Sequence, residues 1–373
     1  MKKTIIFAKD RHRLNIESKH SLCSARTIFA KDRLRLSKVS KMIGKTSMST
    51  QQIYSQGLSK TPLVSFIITT YNLPINLLIE CLQSVFSLSL GQDEREIILV
   101  DDGSDVCSLQ ELAAYQNQLT YIRQTNQGAA AARNLGLKVA NGMYVQFIDG
   151  DDALIPFSYE HCLDIIRYKN ADVVSFAASS SKKGNNAPSV QGPMTGSAYI
   201  SQSNLQVMVW KYLFKQDILC GLQFTKGLLN EDEEFTPQLL LRAERMYVTD
   251  ARAYHYRRRK NSCTTSKAPR TLMKRLQDTE NILFHFQDRL DSWPEMERNA
   301  MRRRIAQLSM DYLYNVARYT HSINHLNKTI ERLGRRGLYP LPKKNYTWKY
   351  RLFRSVIQTK MGRKFLILLT SWC

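Results

Sequence analysis

No two of the seven cysteines, Cys23, Cys81, Cys107, Cys162, Cys220, Cys263 and Cys373, have the close paired spacing of a zinc site or a disulfide framework. Their odd number and scatter point to a reducing compartment. There is also no uninterrupted apolar run of the roughly eighteen residues that would span a bilayer. Ile5–Ala8, set between charges, is too short for the core of a signal peptide. The chain is therefore expected to stay in the cytoplasm without crossing a membrane. From 341 to 373 there is no acid at all, against eight Lys and Arg. The stretch after the first apolar strand reads TTYNLP, without the glycine-rich, basic loop that would hold a triphosphate.

The formal charge of the 373 residues is +22, but it is unevenly spread. Residues 1–60 carry +11, 61–250 carry −8, 251–340 carry +11 and 341–373 carry +8. A nucleic-acid-binding module would place its basic groups over a groove in the body of the chain. Here the body is acidic and the flanks basic, which fits an anionic membrane surface touching the ends and argues against nucleic acid as a partner.

Residues 1–60 contain an echo, TIIFAKDRHRL from Thr4 and TIFAKDRLRL from Thr27, too short and too few for a stacked repeat. The region reads as a loosely ordered basic extension, and Met42 and Met48 both precede the globular pattern as alternative starts. From Pro62, strand-like and helix-like segments alternate: strands at 64–69, 96–100, 119–123, 143–148, 172–176 and 252–257, and helices at 75–87, near 109–116, 129–140 and 158–169. That alternation predicts an α/β layer with a mainly parallel central sheet. Residues 179–196, rich in Ser, Gly, Asn and Pro, read as a mobile loop. Residues 267–340 have helical periodicity. The tail, 341–373, mixes Trp348, Tyr350, Phe353, Phe365, Leu366, Leu369 and Trp372 with Lys and Arg, as an interfacial amphipathic helix would; the alternative is a helix covering the protein's own apolar surface.

Chemistry concentrates at strand ends, where parallel sheets bind ligands. The first strand ends in Thr70, Tyr71 and Asn72, the second in Asp101 and Asp102, and a later one in FIDGDD, with Asp149, Gly150, Asp151 and Asp152. Three acids so close repel one another unless water or a divalent cation separates them. Between these ends, NQGAAAARN opens a helix carrying Arg133, and NEDEEF, with Glu231 and Asp232, follows further on. Together they suit a sugar nucleotide: Asp102 to accept the imide of a base, Tyr71 to pack on it, Arg133 to meet an anion, Asp149 and Asp151 to hold a metal.

The runs VSFIITTYN, IILVDDGSD, NQGAAAARNLGL and YVQFIDGDDALIP, in that order, resemble family 2 glycosyltransferases of the GT-A (Rossmann-like) fold. The similarity continues through VWKYLFK, FTKGLLNEDEEF and YHYRRRKNSCTTS, covering 62–266. This resemblance implies a GT-A domain at 61–266 followed by helices. It implies nucleotide contacts from Thr70, Tyr71, Asn72, Asp101, Asp102 and Arg133. Asp149 and Asp151 would then flank Gly150 as a DxD motif holding Mg²⁺ or Mn²⁺, with His255 as a further ligand. Asp232 is implied as catalytic base beside Glu231, and Trp210 on the acceptor side. The expected activity is inverting transfer from a nucleotide sugar, UDP by family habit, to a glycan or lipid-linked acceptor in bacterial surface-polysaccharide synthesis, at the inner face of the membrane. The rivals are a nucleotidyltransferase, weakened by TTYNLP, and a non-catalytic basic nucleic-acid-binding module.

Overall fold

The computed structural model describes residues 6–7, 61–107, 110–259 and 268–371. Apart from residues 6–7, the basic extension lies outside them, as do residues 260–267. The described strands are β1 (Ile6–Phe7), β2 (Val64–Thr70), β3 (Arg95–Asp101), β4 (Thr120–Arg123), β5 (Tyr144–Asp149), β6 (Ala153–Leu154), β7 (Val173–Ser179), β8 (Val190–Met194), β9 (Tyr212–Lys215) and β10 (Met246–His255). They form one sheet in the order β1-β4-β3-β2-β5-β9-β7-β10-β6, with β8 on β10. The β1-β4-β3-β2-β5 half is parallel; β9 runs antiparallel between β5 and β7, and β10 lies parallel to β7.

The sheet is mostly parallel because helices cover both faces, which lets its central strands be apolar throughout. In β2, Phe66 and Ile68 face α1 (Ile75–Phe86) through Leu78, Leu82 and Val85, while Ile67 faces the opposite layer. That layer holds α2 (Ala129–Val139) and, further along the chain, α5 (Glu231–Leu240). The first layer also holds α3 (Pro156–Lys169), and α4 is the short helix Gly196–Gln202. Gly136 lets α2 lie close to the sheet, since a Cβ there would stand 2.3 Å from Ile67 Cγ2.

Two local expectations are corrected. The helix predicted near 109–116 is one 3₁₀ turn, Ala113–Tyr115, preceded by the buried Leu112. A single buried apolar side chain there cannot support a helix against its nucleation cost. Within the loop predicted at 179–196, residues 190–194 form β8, paired with Met246, Val248 and Thr249 of β10. Gly192 and Pro193 mask it in the sequence, yet a marginal strand tolerates a residue with no N–H to give.

Three long helices follow, α6 (Pro269–Asp288), α7 (Glu295–Thr320) and α8 (Ile323–Arg335), with a core of their own around Leu283, Phe286, Met301, Leu313 and Leu326. The tail forms α9 (Trp348–Gln358) and α10 (Lys360–Ser371). Tyr350, Ile357 and Leu366 join the same core, so one face of the tail covers the protein's own surface. The other face leaves Trp348, Leu352, Met361, Phe365, Leu368 and Leu369 exposed.

Candidate active site

Register brings the strand ends together: Thr70 lies level with Asp101, and Thr69 with Asp149. They open onto a cavity of about 1350 Å³. Thr70, Tyr71, Asp102, Arg133, Asp149, Gly150, Asp151, Trp210, Glu231 and Asp232 all line it; Asn72, Asp101 and His255 do not.

The residues expected at the nucleotide differ in what they have left to offer. Tyr71 is 49 % exposed, a ring open to stacking. Asp101 is buried, accepting from Ser104 N at 2.9 Å and from the Tyr121 hydroxyl at 2.7 Å, and so shapes the loop after β3. Asn72 is bound in both directions to Asp105: its side-chain amide donates at 2.9 Å, and its carbonyl oxygen accepts the Asp105 N–H at 2.7 Å. Asp102 accepts from Gln124 Nε2 at 2.6 Å, Gln127 N at 2.9 Å and Gly128 N at 2.8 Å. A carboxylate offers about four acceptor positions, so three here orient the entry to α2.

The electrostatic centre is Arg133. Buried on α2, it donates through Nη2 to Asp149 Oδ1 at 3.0 Å, and through Nη1 to Asp232 Oδ1 at 3.4 Å and to Glu231 Oε1. The guanidinium lies over the Phe224 ring, 5.6 Å from its centroid. It thus gathers protein carboxylates from β5 and α5, where sequence reasoning expected a ligand anion. Glu231 and Asp232 stand in the first turn of α5, where the helix dipole favours negative charge. The other Asp232 oxygen accepts Val209 N–H at 3.1 Å. Burial pushes the Asp232 carboxyl up to about 7, against the opposing pull of Arg133 and with help from Glu231 and Asp149.

Beside this, Tyr254 of β10 ties the turn at residues 149–152 together. Its hydroxyl accepts Asp149 N–H at 3.1 Å and bonds Asp152, which also accepts Arg257 N–H at 2.7 Å. Burial, with the Asp149 charge second, raises Asp152 to about 8. Trp210 stacks on Tyr254, ring centroids 4.3 Å apart, so most of the indole is buried. At Gly150 a Cβ would come within 2.9 Å of Thr69 O, so the turn leaves little room for a side chain there.

Asp149 and Asp151 offer hard oxygen donors from a single turn, the chemistry suited to Mg²⁺ or Mn²⁺. Each faces an arginine: Asp149 meets Arg133, and Asp151 accepts Arg259 Nε at 2.6 Å. Two carboxylates leave most of an octahedral shell to phosphate oxygens and water. Among the described residues no group of three His, Cys, Asp or Glu side chains is placed to hold a cation, so His255 is not gathered with the two aspartates. Burial, then the charges of Arg257 and Lys182, lowers the His255 pKa.

Several lining residues had no role assigned from sequence. Arg257, Arg258 and Arg259 were visible in YHYRRRK, but only the end of β10 turns them into the crevice. Arg275 and Thr279 on α6 and Asn315 and Tyr319 on α7 also line it, and these helices lie beyond the resemblance. Their polar face is a few residues on amphipathic helices, with no local signal to mark it.

This fold and crevice define a GT-A glycosyltransferase architecture. The structure shares its fold with residues 1–349 of S. aureus TarS, with a TM-score of 0.57 and 19 % identity over 82 % of this chain and 88 % of that one. Residues 65–222 match the family described as Glycosyl transferase family 2. It is 29 % identical over 220 residues to the uncharacterized glycosyltransferase EpsJ of Bacillus subtilis, covering 54 % of this chain and 63 % of EpsJ. The same identity and length relate it to the glycosyltransferase GlyG of Streptococcus pneumoniae, with 54 % of this chain and 72 % of GlyG covered. The minor teichoic acid biosynthesis protein GgaB of B. subtilis is 24 % identical over 218 residues, 55 % of this chain and 24 % of GgaB. The chain thus spans less than two-thirds of the length of EpsJ and a quarter of GgaB.

Proposed function

We propose that this protein transfers a sugar from a nucleotide-sugar donor, a UDP-sugar in the first instance, to a hydroxyl of a glycan or lipid-linked acceptor in surface-polysaccharide synthesis. The observation that carries this reading is Asp232. It lies in the crevice with one oxygen held by Val209 N–H, and burial brings its pKa to about 7, where a general base works best at neutral pH. Asp232 takes the proton of the acceptor hydroxyl as that oxygen attacks the anomeric carbon. The bond to the diphosphate breaks on the opposite face, its electron pair leaves with the diphosphate, and the configuration inverts. Asp149 and Asp151 would hold Mg²⁺ or Mn²⁺, which supplies Lewis-acid stabilisation of the departing charge. Thr70 and Tyr71 line the crevice where the base would lie, and Asp102 lines the same space.

Asp232→Asn should lower turnover by about 100- to 10,000-fold while leaving UDP affinity nearly intact. Asp151→Asn should weaken UDP and Mn²⁺ binding together. In the unaltered enzyme, kcat/KM should rise with pH through about 7 as Asp232 loses its proton. Near-normal turnover in Asp232→Asn, measured with a panel of sugar nucleotides, would remove the base from the mechanism.

The second part of the proposal concerns location. The exposed face of α9 and α10 sets Trp348, Leu352, Phe365, Leu368 and Leu369 among Lys349, Arg351, Lys360 and Lys364, in a segment without acids. No helix among the described residues is long and apolar enough to cross a membrane. A basic apolar face of this kind suits attachment to an anionic lipid surface, the source of a lipid-linked acceptor.

A further inference from the structure

Cations deep in the crevice are paired with carboxylates in a consistent way. Arg133 meets Asp149, Glu231 and Asp232; Arg257 Nη2 lies 2.6 Å from Glu80; Arg259 meets Asp151. Lys211 breaks the pattern. It lines the same cavity, its ammonium is drawn into the protein far enough that burial lowers its pKa, and it has no ion-pair partner among the described residues. A cation desolvated without an anion costs stability, so its retention in a crevice points to an anion supplied from outside the chain.

Its position says which substrate. Lys211 ends the 3₁₀ turn Val209–Lys211, the turn whose first N–H holds Asp232 and whose middle residue is Trp210. The lysine therefore belongs to the element that positions the base, on a different part of the sheet from the β2 and β3 ends expected to take the nucleotide. The cavity, about 1350 Å³, exceeds the roughly 300–1,000 Å³ of a pocket for one small ligand, leaving room for acceptor beside donor. Arg258 and Arg275 line the same cavity and add positive charge.

We propose that Lys211 is an anion-binding group of the acceptor subsite, so that the accepting glycan carries a phosphate or carboxylate near the hydroxyl that Asp232 deprotonates. This deepens the function proposed above and rests on it for the role of Asp232. The lysine pairs with the acceptor's anion, places the neighbouring hydroxyl against the base, and disfavours neutral glycans.

The test uses the full chain, titrated calorimetrically with N-acetylglucosamine 6-phosphate and with N-acetylglucosamine, in the presence and absence of UDP and Mn²⁺. The phosphorylated probe should bind at least about tenfold more tightly, as one charge-assisted contact provides. Lys211→Gln should erase that preference, Lys211→Arg should keep it, and UDP affinity should be unchanged in both. Lys211→Met should raise the melting temperature, because the uncompensated charge is gone; a lysine that only packs its stem would lower it. Equal affinity for the two probes, or a preference surviving in Lys211→Gln, overturns the inference. A fall in UDP affinity in Lys211→Gln also overturns it, assigning the cation to the donor instead. Failure of the unaltered protein to bind UDP would instead overturn the donor reading, while the nucleotide-free titration still decides the role of Lys211.

Discussion

Arg133 shows how much one side chain can organise. Its guanidinium touches Asp149 at the end of β5 and Glu231 and Asp232 of α5, and it is the chief influence opposing the effect of burial on Asp232. Arg133→Met would leave these carboxylates facing one another in a partly dry crevice, at a cost of about 3–5 kcal/mol, measurable by chemical denaturation. The sign of its kinetic effect also follows. Losing a cation that stabilises the ionised form raises the Asp232 pKa, so the rising limb of kcat/KM should move to higher pH. A limb that stayed in place would show that Arg133 does not govern the base. Sequence alone marked Arg133, Asp149 and Asp232 separately, but their union depends on two helices and a strand meeting.

At the scale of elements, Asp102, expected at the ligand, also fixes the entry to α2. Asp102 holds Gln127 N–H and Gly128 N–H, so Asp102→Ala should leave two amides short of partners and destabilise the protein by about 1–3 kcal/mol, visible as a lower midpoint in urea. A variant that lost UDP affinity with unchanged stability would instead give the carboxylate to the base. The strands β2, β3 and β5 and helices α1 and α2 were legible because their apolar runs and periodicities are unambiguous. The margin strand β8 was not, because its Gly192-Pro193 pair reads as loop until β10 supplies a partner. The helix expected near 109–116 failed for the converse reason, since apolar spacing promises a helix only where something packs against it.

The molecule as a whole joins the α/β domain to five C-terminal helices among the described residues, and both proposed partners meet it there. α6 and α7 close the crevice with Arg275, Thr279, Asn315 and Tyr319, while α9 and α10 bury Tyr350, Ile357 and Leu366 and keep a basic apolar face exposed. Of the two sequence readings of the tail, surface cover describes its buried face, and membrane contact is the proposal for its exposed one. Vesicles containing phosphatidylglycerol should sediment the protein, pure phosphatidylcholine vesicles should not, and added salt should weaken the association. Trp348→Ser with Phe365→Ser and Leu369→Ser should reduce vesicle binding with little change in melting temperature, because all three side chains are exposed. Retention of binding by that variant would remove the exposed face from any membrane role.

The amino-acid sequence by itself determined the α/β alternation, the strand-end carboxylates and the family resemblance, because each is encoded within a few residues of itself by hydrophobic period and motif. Only the tertiary structure decided which charges meet. It paired Arg133 with acids from two elements, Asp151 with Arg259 and Asp102 with backbone amides, and it left Lys211 half-buried with no ion-pair partner among the described residues. Desolvation and Coulomb energy depend on distances through space, and the distances that matter here join residues far apart along the chain.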